Sequence, residues 1–206
     1  MAGLGAGVDP IVEVVALGDG RDVLVGRPRD SEALLDEDAF DARDEYLPYW
    51  AELWPSAVAL ARMVARRSLD GRRVLELGCG LGLPGLAAAA GGARATLTDW
   101  APEAVVAARD NAARNAVDVE AFVCDWRSPD ALVARGPWDL VLLADVLYEE
   151  RNVGPLLDLL PRLAAEVLLA DPGRATAAPF LAAAERRWQV TTTRDDRVLL
   201  HRLRAR

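Results

Sequence analysis

From Arg73 to Arg187 the chain alternates short apolar runs with longer amphipathic ones, and this alternation restricts the fold more than any other feature. The apolar runs predict strands at Arg73 to Leu77, Arg94 to Thr98, Glu120 to Val123, Leu140 to Ala144 and Glu166 to Ala170. The intervening patterns predict helices at Pro84 to Ala90, Pro102 to Asn115, Val153 to Leu163 and Ala175 to Arg187. Strands joined through helices run parallel, with right-handed crossovers that lay helices on both faces of the sheet. Leu140-Val141-Leu142-Leu143 is apolar without interruption, as a strand covered on both sides should be. The end of the chain differs. Trp188 to Thr193 and Arg197 to Leu203 are separated only by Arg194-Asp195-Asp196, which predicts a hairpin and one strand antiparallel to the rest. The expected fold is α/β: a Rossmann-like, doubly wound sheet of seven strands, mostly parallel, with an antiparallel C-terminal hairpin.

Upstream, Ile11 to Leu17 and Asp22 to Val25 flank Gly18-Asp19-Gly20 and predict a small N-terminal β-hairpin. Arg27 to Glu45 is charged, turn-prone and without periodicity, and predicts a loop. A helix is expected after Trp54, with Pro55 in its first turn and an end near Leu69. The organisation expected is residues 1–47 as hairpin and acidic loop and residues 48–206 as the main domain, together one compact unit.

Residues 1 to 50 hold 12 acidic and 4 basic side chains, whereas the remaining residues hold 20 of each. This local acidity disfavours nucleic acid, whose phosphates call for a basic face, and suits either a solvated acidic loop or a basic protein partner. All 24 basic residues are Arg. No apolar run approaches the ~18 residues of a membrane helix, and the start lacks a signal-peptide pattern, so a cytoplasmic location is expected. Two cysteines without a paired spacing and a single histidine, His201, argue against a disulfide framework or a zinc site.

In such a sheet, ligands sit beyond the carboxyl ends of the strands where the strand order reverses. Glu76-Leu77-Gly78-Cys79-Gly80-Leu81-Gly82 closes the first core strand and opens a helix. Glycines there let the backbone approach a bulky ligand and present amide donors. A dinucleotide fingerprint needs a glycine three residues after Gly80, but Leu83 stands there; Gly78, Gly80 and Gly82 follow a GxGxG spacing instead. Glu76 would repel a phosphate and suits a cationic ligand. Asp99 ends the second strand, nineteen residues past Gly80, where a carboxylate can accept from both ribose hydroxyls. Asp125 and Trp126 follow the third strand, placed to meet the edge and the face of an adenine. Three acids on one rim describe a pocket for an adenosine that carries a positive centre and no phosphate, which is S-adenosyl-L-methionine.

With these residues the chain resembles the seven-stranded class I methyltransferases, and among them methyltransferase family 16, which includes many protein lysine methyltransferases. The resemblance spans Pro48 to Arg174. Beyond the glycine loop it rests on Pro48-Tyr49-Trp50-Ala51-Glu52-Leu53-Trp54-Pro55-Ser56-Ala57 and on Asp145-Val146-Leu147-Tyr148, which matches a DxxY pattern. Asp171-Pro172-Gly173-Arg174 looks most like the electron-transfer-flavoprotein β-subunit lysine methyltransferases. The resemblance implies that Trp54, Gly78, Cys79, Gly80, Asp99, Trp100, Trp126 and the backbone of Ala144 contact the cofactor, and that Asp145 and Tyr148 serve the acceptor. It also suggests that Asp171 to Arg174, locally a turn, shapes the substrate mouth.

The activity so implied is S-adenosylmethionine-dependent N-methylation of protein lysine side chains, leaving S-adenosyl-L-homocysteine. The alternative is a small-molecule acceptor, a nicotinamide-like heterocycle or an amine. Transfer is an in-line displacement, so the enzyme mainly positions donor and acceptor and excludes water. A lysine acceptor must arrive neutral, at a cost of about 4 to 5 kcal/mol at pH 7 from its reference pKa of ~10.4. A carboxylate beside an ammonium works against this. Asp145 is therefore expected to orient the acceptor or relay a proton through water; otherwise it is a strand-end acid bonding backbone amides. Tyr49 and Trp50 either flank the acceptor amine through their ring faces or belong to the core. Cys79 is not expected to act as a nucleophile, since no histidine is at hand to activate it, and His201 is expected to be structural.

Overall fold

A computed structural model of the chain describes residues 10–31, 34 and 48–206. Most of the acidic loop expected between Arg27 and Glu45 lies outside the described residues. The hairpin forms from β1 (Pro10–Ala16) and β2 (Asp22–Pro28), antiparallel, with Val14 opposite Leu24. Gly18 and Gly20 take positive φ at its turn, where a side chain would be strained.

The main body runs α1 (Pro55–Ala65), β3 (Arg73–Leu77), α2 (Leu83–Ala90), β4 (Arg94–Asp99), α3 (Pro102–Arg114), β5 (Val119–Val123) and α4 (Asp130–Val133). It continues with β6 (Leu140–Ala144), α5 (Val153–Leu163), β7 (Glu166–Asp171), α6 (Ala177–Ala184), β8 (Trp188–Asp195) and β9 (Val198–Ala205). One seven-stranded sheet has the order β5-β4-β3-β6-β7-β9-β8. Strands β3 to β7 are mutually parallel, and β9 enters antiparallel between β7 and β8. This is the mostly parallel, doubly wound sheet with an antiparallel C-terminal hairpin that the alternation of elements predicts. The chain builds outward from β3 in one direction and from β6 in the other, so the switch point lies between the carboxyl ends of β3 and β6.

The sheet separates two apolar layers. Val74, Leu140, Leu142 and Leu168 face α1 and α2, while Leu75, Leu77, Val141 and Leu143 face α5 and α6. Alternate residues of the Leu140 to Leu143 run therefore enter opposite layers, and none has a solvent side on which a polar residue would be favoured. Trp138, Phe180 and Trp188 fill the second layer.

Helix ends depart from expectation for local reasons. Helix α1 stops at Ala65 rather than near Leu69, because the Arg67 amide folds back to the Val64 carbonyl and the chain turns to bury Leu69. Helix α6 is shorter than the predicted Ala175 to Arg187, since turns occupy both ends: the Ala177 amide bonds the Arg174 carbonyl, and the Arg186 and Arg187 amides bond the Ala183 and Ala184 carbonyls. Helix α4 is a single turn that no periodicity signals. No helix among the described residues is long and apolar enough to cross a membrane.

Candidate active site

The loop leaving β3 is held by its own acids. Gly78, Gly80 and Gly82 all have positive φ. A Cβ on Gly78 would meet Val146 at 3.0 Å and the Trp126 ring at 3.2 Å, so the backbone lies directly against the indole. Asp99, at the end of β4, accepts from the Gly80 amide at 2.9 Å through Oδ2 and from the Ala101 amide at 3.0 Å through Oδ1. One carboxylate thus ties the first two strand-end loops together, and each oxygen keeps capacity for a further donor. Burial pushes the Asp99 carboxyl up, with the backbone amides pulling against it.

Glu76 is 1% exposed, and its Oε2 accepts from the Gly85 amide at 2.8 Å at the N-terminal end of α2. Burial drives its carboxyl well above the ordinary value, against that amide, and the nearby charge of Asp99 adds to the rise. No guanidinium among the described residues compensates it, which favours a cationic ligand above it. The same burial, with Asp99 and Glu76 nearby, pushes the Cys79 thiol well up, so the thiolate a nucleophile needs is disfavoured.

These groups open into one cavity of about 500 Å³ at the switch point. Trp54, Glu76, Gly78, Cys79, Gly80 and Asp99 line it, as do Trp100, Asp125, Trp126, Ala144, Asp145 and Tyr148, so the residues expected at cofactor and acceptor face one space, whereas Asp171 to Arg174, expected at the substrate mouth, do not line it. Trp54 caps α1 with extended backbone, and its indole N–H donates to the Tyr49 carbonyl at 2.8 Å. Tyr49 in turn packs on Tyr148, ring centroids 5.3 Å apart, and on Trp54 at 6.2 Å. Tyr49 and Trp50 also line the cavity, Tyr49 well exposed and Trp50 half-buried. Burial raises the Tyr148 hydroxyl to about 12, so it stays protonated and can donate.

Asp125 also serves its own loop. Its carboxylate forms a bidentate pair with the Arg127 guanidinium, Oδ2 accepting from Nη2 at 2.8 Å and Oδ1 from Nε at 3.0 Å, and accepts the Arg127 amide, which holds it below the usual carboxylate range. It closes its own turn at the cavity rim. Trp126 sits deeper, with its indole N–H buried and unpartnered. His201 is away from the cavity; its Nδ1 lies 2.9 Å from the Thr192 hydroxyl across the β8–β9 pair.

Sequence reasoning missed the tie on the acceptor side. Asp145 follows β6 with φ of 57°, a strained conformation for a non-glycine residue. Its Oδ1 accepts from Arg174 Nε at 2.5 Å. Asp171 Oδ1 accepts the amides of Gly173 and Arg174, at 2.6 and 2.7 Å, and so builds the turn that presents the guanidinium. The Asp-Pro-Gly-Arg spacing signals such an Asx turn; the facing of Arg174 to Asp145 arises only from the pairing of β6 with β7.

Fold and cavity define a nucleoside-cofactor α/β protein, and comparison with known proteins makes this specific. Residues 43–177 match the model of a family described as lysine methyltransferase. The chain belongs to that family. It is 38% identical over 137 residues to an electron transfer flavoprotein beta subunit lysine methyltransferase of Xenopus laevis, covering 62% of this chain and 54% of the relative. It is 35% identical over 119 residues to the histone-arginine methyltransferase METTL23 of Mus musculus, covering 54% of this chain and 47% of the relative. The chain thus spans about half the length of the curated relatives it matches. Among solved structures, a T. Thermophilus 16S rRNA N2 G1207 methyltransferase in complex with AdoMet and guanosine superposes with a TM-score of 0.70 at 16% identity, over 98% of this chain and 52% of that one, which shows a shared fold.

Proposed function

We propose that the protein is an S-adenosylmethionine-dependent N-methyltransferase that acts on lysine side chains of a protein substrate. The observation that carries the reading is the distribution of charge around one cavity: uncompensated buried acids, Glu76 and Asp99, on the glycine-loop side, and the Asp145 carboxylate with Tyr148 on the other. An adenosine with a cationic centre fits the first side. The glycine backbone gives room for it, no basic side chain among the described residues is bonded to either acid, and Trp126 and Trp54 offer apolar surface.

When bound, S-adenosylmethionine supplies an electrophilic methyl group on a sulfonium. Glu76 and Asp99 hold the charged and ribose ends; Trp54, Trp100, Trp126 and the backbone of Ala144 enclose the remainder. Asp125, pinned by Arg127, shapes the rim. Asp145 accepts from the acceptor nitrogen and Tyr148, protonated through the neutral range, donates to a neighbouring oxygen or water. The ring faces of Tyr49 and Tyr148 guide an alkylammonium toward this point and exclude water from it.

The test is incubation of the purified chain with methyl-labelled S-adenosylmethionine and the soluble fraction of a cell extract. Methyllysine in hydrolysed protein is the expected product. Label confined to small molecules would transfer the reading to a small-molecule amine or heterocycle. The chain contains no lysine, so self-labelling on that side chain does not arise.

A further inference from the structure

Arg174 is not a wall of the cavity, yet two independent features aim it at the acceptor side. It meets Asp145, whose side chain is only 5% exposed, at 2.5 Å. The fully buried Asp171 fixes its backbone through the two amide bonds of the turn, and its guanidinium lies 5.9 Å from the Tyr148 ring centre. The Thr176 hydroxyl donates to the Leu147 carbonyl, binding the β7–α6 loop to the β6–α5 loop. The residues that face the acceptor and those that hold Arg174 therefore form one linked unit. The pair joins a buried carboxylate to a half-buried guanidinium, so the cost of desolvating Asp145 offsets much of its attraction and makes it a poor device for stability alone.

Asp145 poses a difficulty that such a pair removes. A lone carboxylate beside a lysine ammonium keeps the proton on nitrogen, and a protonated nitrogen has no lone pair to donate. We propose that Arg174 is a positioning residue for methyl transfer: by holding Oδ1 of Asp145 it offsets that carboxylate's charge and leaves the second oxygen to orient an uncharged lysine amine. This rests on the lysine reading of the site. In the step itself the ammonium first loses a proton to water. The nitrogen lone pair then forms the N–CH3 bond while the C–S electrons remain on sulfur, and the resulting methylammonium releases a second proton if it returns neutral. The Arg174 guanidinium that meets Asp145 is flanked by Asp171 of its own loop, with the neutral Tyr148 side chain beside it. Glu76 and Asp99 lie on the glycine-loop wall; at the rim Glu149 is paired with Arg151 and Asp125 with Arg127.

The experiment compares the full chain with its Arg174→Gln and Arg174→Lys variants. Calorimetry with S-adenosylmethionine should give the same affinity in all three, since Arg174 does not line the cavity. Rates of label transfer from S-adenosylmethionine to lysine in the soluble extract fraction are then followed from pH 6.5 to 9.5. Arg174→Gln should be about tenfold slower at pH 7 and within about threefold of the parent at pH 9.5, its acidic limb displaced by about one pH unit, while Arg174→Lys, which retains the charge, should keep the parent's limb. An equal loss at every pH, or none, overturns the role of Arg174 while leaving lysine methylation intact. A parent protein that labels no lysine overturns the lysine reading and the role of Arg174 with it. The pair itself is checked without turnover by nitrogen-15 NMR. A slowly exchanging Arg174 Nε–H signal is expected, lost in Asp145→Ala, and its absence from the parent contradicts the proposal.

Discussion

Asn111 and Gly26 exchange hydrogen bonds as two strands would: the Asn111 side-chain oxygen accepts the Gly26 amide at 2.7 Å, and its NH2 donates to the Gly26 carbonyl at 3.1 Å. One helical turn later, Asn115 repeats the exchange with Leu24, at 2.8 and 2.7 Å. Asn111 in α3 and Asn115 at its C-terminal cap thus satisfy Gly26 and Leu24, two residues apart on β2, whose outer edge pairs with no third strand among the described residues. Asn111 also donates to the Leu81 carbonyl in the glycine loop, linking hairpin, helix and cavity.

Truncating this amide should be costly. Asn111→Ala leaves the Gly26 amide and carbonyl and the Leu81 carbonyl without a partner in a buried site, a loss of about 2 to 3 kcal/mol. For a chain of this length that is roughly 5 to 10 °C in Tm. Differential scanning calorimetry reads it directly, and an unchanged Tm would show that the hairpin anchor is dispensable.

Gly85 offers a contrast between two helical glycines. A Cβ there would lie 2.7 Å from Glu76 Oε2 and 2.8 Å from Leu97, so Gly85→Ala should destabilise by about 1 to 2 kcal/mol despite alanine's higher helix propensity. Gly154, near the start of α5, has open space around it, and Gly154→Ala should be neutral or stabilising by up to ~1 kcal/mol. Urea titration of the two variants should place them on opposite sides of the parent.

Glu76 should trade stability against binding. Because burial raises its carboxyl in the folded state, the folded protein holds a proton that the unfolded chain releases, and stability falls as pH rises through that interval. Glu76→Gln removes the ionisation while retaining an acceptor for the Gly85 amide. The variant should melt above the parent at pH 8, the difference vanishing near pH 4 where both carry a neutral group. Its affinity for S-adenosylmethionine should drop, and the parent's should strengthen with rising pH as a cationic ligand favours the ionised carboxylate. Melting curves and calorimetry across this range would show both trends or refute them.

Asp99→Asn keeps the shape and one amide acceptor but loses the charge and the second carboxylate oxygen. S-adenosylmethionine binding should weaken by about 10- to 100-fold, from the loss of charge-assisted bonds to the ribose. Calorimetry at neutral pH measures the change; an affinity within threefold of the parent would remove Asp99 from the ribose site.

Local pattern was enough for the alternating elements, the C-terminal hairpin and the acids at three strand ends, because strand periodicity and chain order dictate which residues arrive at the rim of a parallel sheet. The Asp125–Arg127 pair was invisible to that logic, because strand periodicity says nothing of a bond between side chains two residues apart in a loop. So was the early end of α1, decided by burial of Leu69 rather than by propensity.

The sequence by itself determined a doubly wound sheet and a glycine loop flanked by acids, since both follow from short-range spacing and the handedness of strand–helix–strand crossovers. Only the tertiary structure decided which groups meet across the chain: Glu76 against Gly85, Asn111 against Gly26, and Asp145 against Arg174. Hydrogen bonds and ion pairs act over about 3 Å, and contacts between residues 85 or 91 apart in sequence exist only once the sheet register and helix packing have set their distances.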